Sequence, residues 1–254
     1  MVEEAVFCIP DESLVLSARL GFVRYLMDVM MKPVLQLPPM TCQRIREIDS
    51  LAMEQFQMPG IILMENAGRG AAERIDELAP EGNVLILCGK GNNGGDGFTI
   101  ARHLQLAGRE VMILAMAATN ELQGDAAIQA KIAEAAGIKI QVVGEAVEAG
   151  CLSATDVVVD GLLGTGAKPP LRGRYAEVVE AANASSAIRI ALDIPTGMNG
   201  DTGETGETTF RADRTLTFAA PKVGFEKLDA ARFTGEVHVI SIGVPLELLR
   251  QFSV

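Results

Sequence analysis

Glycines and polar side chains alternate in GKGNNGGDG (residues 89–97), where an apolar run gives way to a helical pattern. Gly89, Gly91 and Gly94 have the G-x-G-x-x-G spacing that allows the backbone to turn tightly before a helix. The free N–H groups at the start of such a helix attract phosphate. The stretch therefore predicts a loop that holds a nucleotide phosphate, although the G-x-x-x-x-G-K-[ST] pattern of a P-loop is absent.

Asn92, Asn93 and Asp96 place amide donors and oxygen acceptors beside these glycines. Asp96 has two open interpretations, as a site residue or as the N-cap of the following helix. Two adjacent asparagines among glycines are harder to explain as turn residues alone. An ordinary NAD site also needs an acid about 20 residues further on to bind the ribose. That strand end reads ILAMAATN (residues 113–120) and contains no acid, which disfavours a plain NAD(P)-dependent oxidoreductase.

Two later stretches place an acid at the end of an apolar, strand-like run. Asp160 ends VVVD, and Asp193 follows IRIAL, with Thr196 three residues later. Acids at the carboxyl ends of buried parallel strands meet at one edge of the sheet, although each alone is more often a turn residue. Asp96, Asp160 and Asp193 are the acid–base candidates. Asn93, Asp160 and Thr196 offer an amide oxygen, a carboxylate and a hydroxyl, a ligand set suited to a hard cation.

Apolar and amphipathic segments alternate along most of the chain, which supplies the scaffold that these groups require. Helices are predicted from Thr41 and through LMENAGRGAAERIDEL (residues 63–78), and others separate the later strands. Strands are predicted in NVLILC, EVMILAMA, IKIQVV, DVVVD, IRIALDI, RTLTFAA and EVHVISIG. This alternation predicts an α/β fold with a parallel sheet covered on both faces, which binds ligands beyond the carboxyl ends of its strands.

The domain organisation follows from a break at LPPM, where the organised pattern begins. Residues 1–39 are interpreted as an N-terminal extension, flexible or helical, and residues 40–254 as one domain. No apolar run approaches the ~18 residues of a membrane span. The net charge of −11, without a dense basic cluster, argues against nucleic-acid binding. The four cysteines form no CxxC pair, so no zinc site or disulfide framework is indicated and a reduced, cytoplasmic location is expected.

Several spaced motifs occur in a characteristic order: MENAGR, GKGNNGGDGF, ARHL, DGLLGTG, LDIPTG and APKVGF. In this order the chain resembles the NAD(P)H-hydrate epimerases, the YjeF N-terminal domain family, over about residues 41–250. The resemblance implies a Rossmann-like three-layer α/β/α sandwich with a mostly parallel central sheet, usually as a homodimer. It also implies an isomerase that interconverts the R and S forms of hydrated NADH and NADPH, so that a separate dehydratase can repair both.

The resemblance further assigns roles to individual residues. Asp193 is expected to contact the nicotinamide ring and to act as general acid and base. Asn93, Asp160 and Thr196 are expected to bind one potassium ion per subunit, with Thr196 in place of the usual serine. The resemblance implies that the hydrated dinucleotide is bound by two loops and the last acid, namely Asn92, Asn93, Gly94, Gly95, Asp96, Gly164, Thr165, Gly166, Ala167, Lys168, Pro169, Pro170 and Asp193.

Two alternatives remain open at this point. Related domains of RNA-decay scaffolds keep the fold without the site, but the asparagines and strand-end acids are all present here. A catalytically inactive binding or scaffold module is therefore the second hypothesis. Arg172, Arg174 and Lys222 are open to phosphate contact or to the more common solvated surface position.

Overall fold

The computed structural model describes residues 37–144, 152, 154–166 and 169–253. Seven strands form one sheet in the order β3-β2-β1-β4-β5-β6-β7, and each neighbouring pair is parallel. The predicted α/β fold is confirmed, and the described sheet is parallel throughout. The strands are β1 Val84–Cys88, β2 Val111–Ala115, β3 Lys139–Val142, β4 Val157–Gly161, β5 Ile188–Leu192, β6 Arg214–Phe218 and β7 Glu236–Ile240.

The helices precede the sheet, connect its strands or, in the case of the last one, follow β7. Short 3₁₀ turns occupy Thr119–Glu121 and Val223–Glu226. In the described part of the chain, none of the helices has the length and apolar content needed to cross a membrane. The α-helices are α1 Cys42–Phe56, α2 Gly60–Leu78, α3 Asn92–Leu106, α4 Gly124–Ala135, α5 Arg174–Ala184, α6 Ala231–Thr234 and α7 Leu246–Arg250.

Every residue of β1 is buried, because helices cover both faces of the sheet. A Cβ built on Gly97 of α3 would lie 2.7 Å from Cys88 Sγ and 3.2 Å from a methyl group of Ile86, so α3 packs directly on one face. The alternate residues of β1 join an apolar cluster with α5 on the opposite face. The fold is therefore the expected α/β/α sandwich.

The chain reverses its direction of travel across the sheet between β1 and β4. β1 is followed by β2 and β3 on one side, whereas β4 is followed by β5, β6 and β7 on the other. The connections that leave β1 and β4 therefore diverge and open a crevice beyond the carboxyl ends of these strands. The asparagine loop follows β1 and Asp160 lies in β4, so the topology brings two of the predicted polar stretches to this switch point.

The segment before α1 joins the domain through Met40. Its N–H donates to the carbonyl of Pro221 at 2.8 Å, and its carbonyl accepts from Val223 N at 3.0 Å. Leu37 and Met40 are both buried. Residues 1–36 of the expected extension lie outside the described residues.

Candidate active site

The loop after β1 is held against β4 at distances that only glycine permits. A Cβ on Gly89 would lie 1.8 Å from the carbonyl oxygen of Leu162, and one on Gly94 would lie 2.0 Å from that of Gly89. The Gly89 N–H also donates to the Gly161 carbonyl at 3.0 Å. Close backbone approach therefore fixes the start of α3 beside the end of β4.

The polar residues of this loop belong to the first turns of α3. Gly91 is the N-cap and no side chain caps the helix, so the N-cap interpretation of Asp96 is wrong. Asp96 is the fifth residue of α3, only 9% exposed. Asn93 donates its side-chain amide to the Leu192 carbonyl at 3.3 Å, which ties α3 to β5. Asn92 is exposed at the helix start.

Asp160 and Thr196 bind each other beneath the crevice. Asp160 is fully buried, and its Oδ1 accepts the Thr196 hydroxyl at 2.7 Å and the Leu162 N–H at 3.1 Å. Its Oδ2 accepts the Thr196 N–H at 2.8 Å. Burial raises the pKa of Asp160 to about 6, although these hydrogen bonds from Thr196 and Leu162 oppose the shift. The pair holds the end of β4 against the loop after β5.

Asp193 pairs with a buried lysine. Its backbone has φ 63°, in the left-handed region that aspartate tolerates better than most residues. Oδ1 of Asp193 accepts from Nζ of Lys222, which is 0% exposed, and from the Phe218 N–H at 3.4 Å. Neither environment considered for Lys222 from the sequence, phosphate contact or solvated surface, is found.

The second oxygen of Asp193 points to the loop after β4. A Cβ built on Gly164 would lie 3.4 Å from Oδ2 of Asp193 and 3.4 Å from Oδ1 of Asn93. The next residue back, Leu163, donates its N–H to the Thr196 hydroxyl at 3.1 Å. The loop at residues 163–164, which follows β4, is therefore where the amide side chain after β1 and the carboxylate and hydroxyl side chains after β5 converge.

A cavity of about 540 Å³ opens at this point, a volume typical of small-molecule sites. Asp160 and Thr196 lie below it, and Gly94, Gly95, Pro169 and Pro170 are outside its lining. Ala167 and Lys168 lie outside the described residues. The predicted site residues that line the cavity are Asn92, Asn93, Asp96, Gly164, Thr165, Gly166 and Asp193.

Sequence reasoning missed Asp49, and it named Lys222 without anticipating its buried pairing with Asp193. Asp49 of α1 lines the cavity, and its buried Oδ1 has no hydrogen-bond partner within the described residues. Burial, followed by the negative charge of Asp193, raises the pKa of Asp49 to about 6, against the opposing effect of Lys222. An acid on the apolar stripe of a predicted helix was the available signal for Asp49. For Lys222 it was a single cation within the otherwise uncharged run TFAAPKVGF.

The cavity is electrostatically acidic. Burial is the largest cause that raises the pKa of Asp96 well above its ordinary value, and the charges of Asp193 and Asp49 add to it. Two carboxyl groups of the cavity wall, Asp49 and Asp96, are thus biased toward the protonated form, while Asp193 has a bonded ammonium. The site can therefore present both a carboxylate and neutral acids to one ligand.

A parallel sheet with a polar cavity at its switch point defines the Rossmann-like class of nucleotide-binding folds. The model of the family described as YjeF-related protein N-terminus matches residues 60–224. The chain therefore belongs to this family, as its motifs indicated.

Relatives in the curated proteins extend the match to most of the chain. The NAD(P)H-hydrate epimerase of Rhodopirellula baltica is 96% identical over 240 residues, which cover 94% of this chain and 98% of the relative. The NAD(P)H-hydrate epimerase of Pirellula staleyi is 42% identical, and the match covers 83% of this chain and 95% of the relative. The bifunctional NAD(P)H-hydrate repair enzyme Nnr of Thermofilum pendens is 41% identical, but the match spans only 40% of its length.

Among solved structures, yeast ynu0 has the same fold. The two chains superpose with a TM-score of 0.74 and 22% sequence identity, over 86% of this chain and 94% of that chain. At this identity the similarity supports the fold alone.

Proposed function

We propose that the chain interconverts the R and S forms of hydrated NADH and NADPH. Family membership and the relative with 96% identity support this reaction. The observation that carries the proposal is the convergence of Asp193 Oδ2 and Asn93 Oδ1 on one point of the cavity wall. A carboxylate oxygen and an amide oxygen there can meet a substrate hydroxyl and a substrate N–H group.

The reacting carbon of the hydrated ring carries a hydroxyl group and the ring nitrogen, so it is a hemiaminal. In one route Asp193 removes the hydroxyl proton, the electron pair of the O–H bond forms the carbonyl group of an aldehyde, and the C–N bond breaks. The nitrogen keeps the electron pair of that bond and takes the proton. Nitrogen then adds to the other face of the aldehyde, and its proton returns through Asp193 to the oxygen. In the other route Asp193 as an acid protonates the hydroxyl, water leaves to give an iminium, and water adds to the other face while Asp193 takes back the proton. One carboxyl group that gives and accepts a proton serves either route.

The binding residues follow from the cavity lining. The first turn of α3, which begins with Asn92 and Asn93, offers free N–H groups and a favourable dipole to a phosphate of the dinucleotide. Asp96 lines the cavity from the next turn. The loop at Gly164–Gly166 forms the facing wall. Gly94 and Gly95 lie outside the lining and support the site by allowing close packing of α3, since a Cβ on Gly95 would lie 2.7 Å from Met64 Sδ.

A potassium ion, one per subunit, is part of the proposal, and the donor set fits it. Oδ2 of Asp160 accepts one described hydrogen bond, and the Thr196 hydroxyl donates to Asp160 and accepts from Leu163. Each oxygen therefore keeps a free lone pair. Together with Asn93 Oδ1 these are oxygen ligands with a net negative charge, as a hard cation prefers. The ion would favour ionised Asp160 and offset phosphate charge.

The function is tested with one purified stereoisomer of hydrated NADH. We expect the other stereoisomer to appear on chromatography at a rate proportional to protein concentration, and D193N to be slower by about 10²–10⁴-fold. Failure of the wild-type protein to form it would instead support the inactive binding or scaffold module. Water enriched in heavy oxygen separates the two routes, because only loss and return of water introduces the label at each inversion.

Partners and location complete the proposal. Nnr-type relatives, of which the match covers about 40%, support functional coupling to a separate NAD(P)H-hydrate dehydratase. We also propose a homodimer and a cytoplasmic location. Cys42 and Cys88 are buried free thiols, as a reducing compartment allows. Sedimentation at several protein concentrations tests the dimer.

A further inference from the structure

The ammonium group of Lys222 is enclosed entirely by protein. It is 0% exposed and has four acceptors, Oδ1 of Asp193, the Thr217 hydroxyl at 2.8 Å and the carbonyls of Phe218 and Ala220 at 3.2 and 3.3 Å. An ammonium has only three protons to donate, so these acceptors saturate it. Lys222 therefore has no donor left for a ligand in the cavity.

The position of Lys222 is fixed from two sides of the domain. Its backbone pairs with Met40 from the segment before α1, and its side chain bonds to the end of β6. Burying an ammonium is costly unless a charge and hydrogen bonds compensate it, and Asp193 is the carboxylate bonded to it. The lysine and the acid are therefore a matched pair, and each depends on the other.

The two oxygens of Asp193 have different surroundings. Oδ1 accepts from Lys222 and from the Phe218 N–H, whereas Oδ2 borders Gly164 and the cavity. Asp49 and Asp96, whose pKa values the negative charge of Asp193 raises, are two of its neighbours at the cavity. The bonded ammonium holds Oδ1 and leaves Oδ2 on the side of Gly164.

We propose that Lys222 is a positioning residue for the epimerisation: it anchors Oδ1 of Asp193, so that Oδ2 is the oxygen that exchanges the proton with the substrate. The inference rests on the proposed function. It assigns a role to the conspicuous lysine of the APKVGF motif and a division of labour to the two oxygens of the catalytic carboxylate.

The test compares K222M, D193N and the double variant D193N/K222M, with K131M as the control for the same change at an exposed lysine. With one hydrate stereoisomer we expect K222M to lower kcat by about 10²-fold or more while KM changes by only a few-fold. A merely structural role would not produce this split in a folded variant. K131M should retain wild-type values.

Infrared difference spectra at neutral pH supply a second readout. K222M should shift the carboxylate stretching band of Asp193, because Oδ1 loses its bonded ammonium, and this shift should be missing from the double variant, which lacks Asp193. A folded K222M that keeps wild-type kcat, or that loses kcat without the band shift, overturns the inference.

The double variant keeps the test decisive where K222M does not fold. It contains neither buried charge, so it should unfold at a temperature no lower than D193N. We expect its residual epimerisation rate to match that of D193N, because Lys222 acts only through Asp193. A double variant slower than D193N would show that Lys222 acts by another route. If the wild-type protein does not interconvert the hydrates at all, the proposed function fails first, and the infrared comparison still reports on the Lys222–Asp193 pair.

Discussion

Asp49, whose Oδ1 has no partner within the described residues, is predicted to lower the stability of the folded chain near neutral pH. Because burial raises the pKa of Asp49 to about 6, the folded state must ionise this carboxyl group at a cost above that pH. We expect D49N to raise the free energy of unfolding by about 1–3 kcal/mol at about pH 7.5. The gain should shrink as the pH falls through about 6, as measured by urea unfolding.

E47Q on the same helix is the matched control, since Glu47 is exposed and its ion pair with Arg44 lies at the surface. Such pairs contribute little, so we expect a change within about 0.5 kcal/mol at every pH. A D49N variant whose stability follows that of E47Q would contradict the interpretation of Asp49 as a half-buried acid whose Oδ1 has no hydrogen-bond partner among the described residues.

Thr196 permits a second prediction at the scale of one hydroxyl group. T196V removes the donor to Asp160 and the acceptor of the Leu163 N–H, and it leaves both groups buried without that partner. We expect T196V to lose about 1–3 kcal/mol of stability, whereas T196S, which keeps the hydroxyl, should lose less than half as much. Thermal unfolding with potassium and with choline as the cation should show a stabilising potassium effect in the wild type and T196S only. If T196V were stabilised by potassium as much as the wild type is, the Thr196 hydroxyl would be excluded as a ligand of the ion.

At the scale of elements, the junction of β1 and α3 depends on backbone approach. A Cβ on Gly94 would lie 2.0 Å from the Gly89 carbonyl, whereas one on Gly91 would meet nothing within 4 Å. We therefore expect G94A to destabilise the fold by about 1–3 kcal/mol or more and to weaken substrate binding, since the helix must move away from β4. G91A should stay within about 1 kcal/mol of the wild type in chemical unfolding. Equal effects of the two substitutions would contradict the tight junction.

The strands and most helices could be predicted from the sequence because their signals are local. Burial of single polar residues could not, because it depends on which elements meet. Ile45, Ile48 and Ala52 mark the buried stripe of α1, and Asp49 occupies its i+4 position, which periodicity alone treats as an exception. Lys222 follows a strand end, and only the pairing of Met40 with that loop encloses it. Both residues are placed by contacts between distant segments.

For the candidate site, the topology explains why the motif residues converge. Parallel strands end at one edge, so Asn93, Asp160 and Asp193 were predictable as neighbours from their positions at strand ends. The orientation of each side chain was not predictable from the sequence. It depends on hydrogen bonds with groups that are remote in the chain, such as the bond from Asn93 to the Leu192 carbonyl and the bond from Lys222 to Asp193.

For the whole molecule, the raised acids predict an unusual dependence of stability on pH. The ordinary pKa of an aspartate is 3.8, whereas those of Asp49 and Asp160 are about 6 in the folded chain, and that of Asp96 is also raised. Between these values the folded state binds more protons than the unfolded state. The contribution of these acids to stability is therefore greatest below 3.8 and is lost as the pH rises through about 6.

Acidification from about pH 7.5 to about pH 5.5 should accordingly stabilise the protein by about 1–2 kcal/mol, equivalent to a rise in Tm of roughly 2–8 °C. The net charge of −11 acts in the same direction, because protonation relieves self-repulsion. His238 opposes this stabilisation by acid. Burial lowers the pKa of its imidazole, so the folded state binds a proton there less readily than the unfolded state does. Calorimetry of D49N should show a smaller rise than that of the wild type over the same interval. A wild-type Tm that falls on acidification would mean that the cavity acids are compensated in the folded protein.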